Sequence, residues 1–402
     1  MTTLDLGLPS VDYENERDPE EAHRILAAAR ERAPVALGPH GPEILTYELA
    51  RTVLRDDRFA TPRGLALAAQ GITSGPLWDR VVNGLLSLDG EDHHRLRRLV
   101  CKAFTPKASA RLRDTCVRVV NDLIDPHTAT GTVDVVTDIA RPYPVPVICA
   151  LLGAPARDWA RFSAWADDIF KVFNWNVAAD ADDIVRAWAE LDAYNDTLIA
   201  ARRDALTDDL FSDLIRAEID GDRLTHDELL MLAGSLLMAG TDTTRNQLAA
   251  AIGVLCDHPE QWEFLSRNPG QIPRAVDELM RFCPVIFTTI RTAREDVELP
   301  GLRVGAGEMV IVNIAAANRD PAAFAQPDHL DVTRENATAM LTFGGGVHYC
   351  LGSHLARTEL VEALAVLTRR MPHPRRTAPE RWKPLTGISG PATLPLAFDT
   401  GH

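Results

Sequence analysis

The segment from Thr225 to Cys256 keeps helical patterning throughout, a run of roughly 45 Å at 1.5 Å per residue. A helix that long crosses a whole domain. Its start is specific. Thr225 and Glu228 have capping-box spacing, in which each side chain satisfies a free amide of the first turn.

Helical pattern also dominates from Pro19 to about Leu210. In EEAHRILAAARERAP, Ile25, Leu26 and Ala29 share one face and Pro34 stops the helix. VALGPHGPEILTY has hairpin character, two short apolar runs parted by Gly and Pro. Residues 61–83, rich in Gly, Ala and Ser with weak periodicity, predict a long mobile loop, and loops of that length tend to be functional. Between Val285 and Ile314 the residues become β-branched, broken by Pro300-Gly301 and Gly305, and residues 384–398 repeat that style. The expected fold is mainly α with a small β-rich region from about 34–46, 285–314 and 384–399, all within one unit spanning 1–402.

Lys and Arg total 42 against 57 Asp and Glu, a formal net charge of −15 that argues against a nucleic-acid binder. No basic, apolar leader opens the chain, and apolar runs such as 142–156 and 229–241 fall short of the roughly 20 residues a bilayer needs. A cytoplasmic protein without a membrane span is expected. The six cysteines are dispersed without a CxxC pair, which signals neither a zinc ribbon nor a disulfide framework. Five of them (Cys101, Cys116, Cys149, Cys256 and Cys283) read as small buried hydrophobes.

The sixth stands apart. FGGGVHYCLGSHLAR, from Phe343 to Arg357, is a glycine-rich loop that delivers Cys350 into a helix start. Amides and a helix N-terminus directed at a cysteine sulfur lower its pKa and favour thiolate. Gly344, Gly345, Gly346 and Gly352 leave room for backbone to pass close to a flat, bulky object. Taken alone, such a loop is also compatible with a purely structural role.

This string resembles the cysteine-ligand loop of the cytochrome P450 family, the haem-thiolate monooxygenases, at Phe343, Gly346, His348, Cys350 and Gly352. The family is a standard instance of haem iron held by a Cys thiolate that favours O–O cleavage. Three further segments match the same family in the right order. The resemblance implies a triangular fold with a long central helix over haem b (iron protoporphyrin IX), with Cys350 as the metal ligand and Phe343, Gly344, Gly352, Ala239 and Gly240 against the cofactor. In AGTDTT it makes Asp242 and Thr243 the acid and alcohol of proton delivery. Gly240 can open a helix turn, and a threonine hydroxyl both accepts and donates; an ordinary helix with a threonine cluster would look the same. In ELMR, Glu278 and Arg281 stand at i, i+3 on one helix face, and the resemblance completes them with Arg334 as a structural ion cluster. In DGEDHHRLRR, His93 and Arg97 project from one face. By resemblance they hold haem propionates together with Arg291 and His348, while His94 faces elsewhere.

The implied activity is a monooxygenase that inserts one atom of O2 into a hydrophobic small molecule. The chain shows no flavin or iron–sulfur motif, so electrons come from a separate ferredoxin and its reductase. Arg95, Arg98, Lys102, Arg111 and Arg113 offer a basic patch to steer an acidic ferredoxin. A peroxide-driven peroxygenase and a haem-thiolate sensor without turnover are the rivals; neither needs the Asp242–Thr243 pair. A Cys–His hydrolase leaves the other motifs unexplained. The resemblance places substrate contacts at Leu65 and Leu67 in the first loop, at Phe173 in a lid over 170–179, at Met238 on the long helix, and at Val285, Ile286 and Ile388. Their apolar character suits a terpenoid, steroid, fatty acid or aromatic polyketide, although core packing explains such residues equally well. A monomer is expected.

Overall fold

The computed structural model describes residues 7–219 and 224–400; the outermost ends of the expected 1–402 unit lie outside them. Helices dominate, and the long one is present but broken. His226–Ala239 and Asp242–Cys256 follow one another across Gly240 and Thr241. The capping box forms as the spacing predicts: Thr225 Oγ1 accepts from the Glu228 amide at 3.2 Å, and Glu228 Oε2 accepts from the Thr225 amide at 2.8 Å.

The break has local causes. The Gly240 amide reaches Leu236 only at 3.4 Å, and the Thr241 amide turns to Met238 at 2.9 Å. The Leu237 carbonyl so released accepts the Thr241 hydroxyl at 2.8 Å, and that of Ala239 accepts the Thr243 hydroxyl at 3.1 Å. Threonine side chains thus satisfy carbonyls at the point where the backbone ladder loosens. A side chain at Gly240 would crowd Ile148, whose Cδ1 would stand 3.1 Å from the new Cβ.

The hairpin Val35–Gly38 and Gly41–Ile44 opens a five-stranded sheet, continued by Met309–Asn313, Thr288–Ala293 and Phe59–Ala60. Gly41–Ile44 runs parallel to Met309–Asn313; the other pairs are antiparallel. Val297–Leu299 and Leu302–Val304 form a hairpin about the Pro300-Gly301 turn. The C-terminal strands Pro391–Thr393 and Pro395–Ala397 pair with Arg381–Trp382, Thr132–Asp134 and Arg375–Arg376, short partners with no alternating pattern to announce them.

Four expectations need correction. Residues 61–83 are not a plain loop: they hold a 3-10 turn, Ala68–Gln70, and a helix, Pro76–Val82, with Leu67 and Leu77 in a small core beside Val172, Val177 and Ile184. Cys101 is exposed and Cys256 half-buried, so only Cys116, Cys149 and Cys283 are buried hydrophobes. Val135–Leu152, at 18 residues, is long and apolar enough to cross a membrane by length and composition, and 61% of it is buried inside the protein. Of the basic patch, Arg95 pairs with Glu228 and Asp92, and Arg113 with Glu362; Arg98, Lys102 and Arg111 stay exposed.

Candidate active site

The cysteine loop is pinned at both ends. The Cys350 amide donates to the Phe343 carbonyl at 2.9 Å, and the following helix starts at Ser353 with Gly352 as its cap. Gly346 has φ +66, and a Cβ there would stand 2.5 Å from the Leu54 carbonyl oxygen, so only glycine lets the loop lie against that neighbouring turn. Arg357 stacks over the Phe343 ring at 4.6 Å while its Nε donates to Asp277 at 2.7 Å. Sequence reading passed over Arg357, whose signal is its place about one turn into the helix that follows the cysteine.

Cys350 itself is exposed. The protein packed behind it desolvates the thiol and raises its pKa above the ordinary value, against the opposing pull of the Gly352 amide and the Arg97 and Arg357 guanidiniums. The expected depression from the helix start is therefore overridden in the free thiol. On the long helix Ala239 is exposed although Leu236, Leu237 and Met238 before it are buried, and a Cβ on Gly344 or Gly352 would meet nothing within 4 Å.

Next to the loop, His93, Arg97, Arg291 and His348 converge. The rings of His93 and His348 lie 4.4 Å apart. Both nitrogens of His93 and Nε2 of His348 are buried without a hydrogen-bond partner, a costly state unless something is meant to meet them. Desolvation pushes the His348 pKa down to about 4 and lowers that of His93. Among the described residues the Arg291 side chain, on its strand, donates only to the Ile290 carbonyl at 2.8 Å and to Thr289 at 3.4 Å, and burial pulls it down to about 10. Arg97 donates to the Tyr349 carbonyl. Asp89, the acid that acts electrostatically on Arg291 and His348, is paired with Arg294. Cations and orphaned donors grouped without a carboxylate fit a ligand that brings its own carboxylates, as a haem does on its propionates. His94 is exposed, as the one-residue offset predicts.

Glu278, Arg281 and Arg334 meet as expected. Arg281 Nε and Nη2 reach the Glu278 carboxylate at 2.7 and 2.8 Å, and Arg334 Nε reaches it at 3.0 Å. The remaining Arg281 nitrogen donates to the Asn318 and Pro327 carbonyls at 2.9 Å.

Asp242 is buried, and its carboxylate ion-pairs with Arg245. Sequence reading did not single out Arg245; a buried acid with an arginine three residues on was the available signal. Of the residues expected to touch substrate, Leu67, Met238 and Val285 are packed into the core. Leu65, Phe173, Ile286 and Ile388 remain half-buried. Leu65 holds φ +56, an uncommon and strained conformation for a bulky side chain.

A helical fold around a broken central helix, with a glycine-caged cysteine beside a carboxylate-seeking cluster, defines a class of cysteine-ligated haem proteins. The family model for cytochrome P450 matches residues 157–267 and 272–382. The mycinamicin IV hydroxylase/epoxidase of Micromonospora griseorubida is 41% identical over 90% of this chain and 91% of that protein. The luteothin monooxygenase of Streptomyces thioluteus is 36% identical over 97% and 96%. Among solved structures, P450BioI in complex with hexadec-9Z-enoic acid ligated acyl carrier protein superposes with a TM-score of 0.88 at 30% identity, covering 94% of this chain and 99% of that one. The chain belongs to the cytochrome P450 family and is a haem-thiolate monooxygenase.

Proposed function

We propose that the protein binds haem b through Cys350 and inserts one atom of O2 into a hydrophobic small molecule, by hydroxylation or epoxidation, acting as a single unit and as a monomer. The observation that carries this reading is the group of buried, partnerless nitrogens on His93 and His348, flanked by Arg97 and Arg291 beside the cysteine loop. These four side chains would hold the two propionates, and the open faces of Gly344, Gly352 and Ala239 would border the ring, with Gly240 next to Ala239 on the long helix.

When bound, the haem supplies the binding and reductive activation of O2. The protein supplies the rest. Asp242 is the acid and Thr243 the alcohol that pass a proton inward; the Thr243 hydroxyl, now donating to the Ala239 carbonyl, must turn to do so. Glu278, Arg281 and Arg334 keep the neighbouring core fixed. Leu65, Phe173, Ile286 and Ile388 offer partly open apolar surface to a terpenoid, steroid, fatty acid or polyketide. Two relatives are named for a hydroxylase/epoxidase and a monooxygenase; oxygenation of substrate supports turnover over the sensor reading, and the monooxygenase name supports O2 over peroxide as the oxygen source.

Electrons come from a ferredoxin with its reductase, docking on the cysteine side, where Arg98, Lys102 and Arg111 remain exposed. The test is reconstitution with ferredoxin, reductase and NAD(P)H on the tightest-binding member of a terpenoid, steroid, fatty acid and polyketide panel, under isotopically labelled O2. One labelled oxygen per product is expected. Oxygenated product without label, or equal turnover with peroxide alone, would contradict the proposal.

A further inference from the structure

The carboxylate of Asp242 does not stand alone. Its partner Arg245 has a side chain only 7% exposed, and the same Nη2 that pairs with Asp242 also donates to Asp167 at 2.6 Å. Arg245 Nη1 reaches Ser163 Oγ at 3.3 Å. Asp167 is held in turn by Arg141 from the turn before the Pro144–Leu152 helix. Charges therefore alternate along Arg141, Asp167, Arg245 and Asp242, from side chains 39% and 36% exposed to a carboxylate 5% exposed. Lys383 adds a cation near Asp242, but its Nζ donates to Asn246 at 3.1 Å.

We propose that Asp167 is a positioning residue for the Asp242 carboxylate, acting through Arg245. The inference rests on the reading of Asp242 as the proton-delivering acid. Two carboxylates share one guanidinium nitrogen, so a firmer hold by Asp167 loosens the hold on Asp242. Arginine keeps its proton throughout the accessible pH range, so the row is not a proton wire. Asp242 gives its proton inward through the Thr243 hydroxyl and regains one from water, while Arg245 fixes where that carboxylate points. Asp167 and Ser163 both lie on the Trp159–Ile169 helix, which runs directly into residues 170–179. Displacement of that helix shifts Arg245 between its two acids, which ties the lid segment to the acid.

The holoenzyme variants Asp167→Asn, Asp167→Glu and Arg141→Gln test this. Asp167→Asn leaves Arg245 to Asp242: product per NAD(P)H should fall about threefold or more, and the solvent isotope effect on kcat should rise. The reduced CO spectrum and substrate Kd should hold. Asp167→Glu should restore coupling, and Arg141→Gln, which frees Asp167 for Arg245, should keep coupling at or above the parent level. Uncoupling by both Asp167→Asn and Arg141→Gln alike would reveal a merely structural network and overturn the proposal. A second readout needs no turnover: in urea unfolding, Asp167→Asn and Asp242→Asn should be non-additive because both act on Arg245, and additivity would overturn it. Asp242→Asn separates the two levels. If it leaves coupling intact, the acid assignment fails and the proposal with it; if it uncouples while Asp167→Asn does not, the positioning role alone fails.

Discussion

Glu278 and Arg281, three residues apart on one helix, face each other through hydrogen bonds of 2.7 and 2.8 Å with neither side chain exposed at all. An exposed pair at this spacing is worth little. Buried, it becomes a strict requirement, because removing one member strands the other charge. Glu278→Ala should lose about 3–5 kcal/mol, since both Arg281 and Arg334 lose their anion. Urea unfolding of the holoenzyme measures it, and a loss below 1 kcal/mol would contradict the burial argument.

Haem retention tests the propionate cluster. Each charged hydrogen bond contributes roughly 1.5–3 kcal/mol, so His93→Ala combined with Arg97→Ala should speed haem transfer to an acceptor globin by about a hundredfold or more. Substrate preference should be unchanged. A double variant that purified with full haem and lost it at the parent rate would remove these residues from the site.

Glu43 makes stability pH-dependent well away from the site. Tyr13 OH donates to its Oε2 at 2.9 Å and Asn313 Nδ2 at 2.8 Å, while Oε1 has no partner. Desolvation pushes its pKa up to about 7 from 4.5. The folded state then binds a proton that the unfolded chain has released, so this group's contribution is full below pH 4.5 and is lost as pH rises toward 7. The change is about 3 kcal/mol. Glu43→Gln should flatten the stability profile across that window; a profile unchanged by the substitution would place the titration elsewhere.

What the sequence disclosed, and what it hid, follows from range. The capping box of Thr225 and Glu228, the hairpin around Gly38 and Gly41, and the i, i+3 pairing of Glu278 with Arg281 are local geometry, legible from spacing. Cys350, Asp242 and Thr243 were singled out by resemblance of short motifs alone. The break at Gly240 was only partly legible, because it depends on Ile148 packing from another helix and on two threonine hydroxyls. Met238 and Val285, expected against substrate, turned out to be core because apolar residues on a helix or loop carry no mark of which face meets the cavity. The sharing of Arg245 between Asp242 and Asp167 joins residues 78 apart in sequence, beyond any periodicity.

Thr243→Ala separates proton delivery from cofactor binding. The variant should keep the haem and the CO spectrum of the parent while reducing equivalents drain to peroxide, with product per NAD(P)H lowered about tenfold. Unchanged coupling would deny the hydroxyl its role and reopen the peroxygenase and sensor readings.

Thiolate ligation by Cys350 underlies the whole account, and the absorption spectrum of the reduced, CO-bound protein tests it most directly. The parent protein should show the strongly red-shifted Soret band of a thiolate-ligated haem, and Cys350→His should lose that band along with oxygenation. A parent without the band, or a Cys350→His variant that retained it, would contradict the assignment.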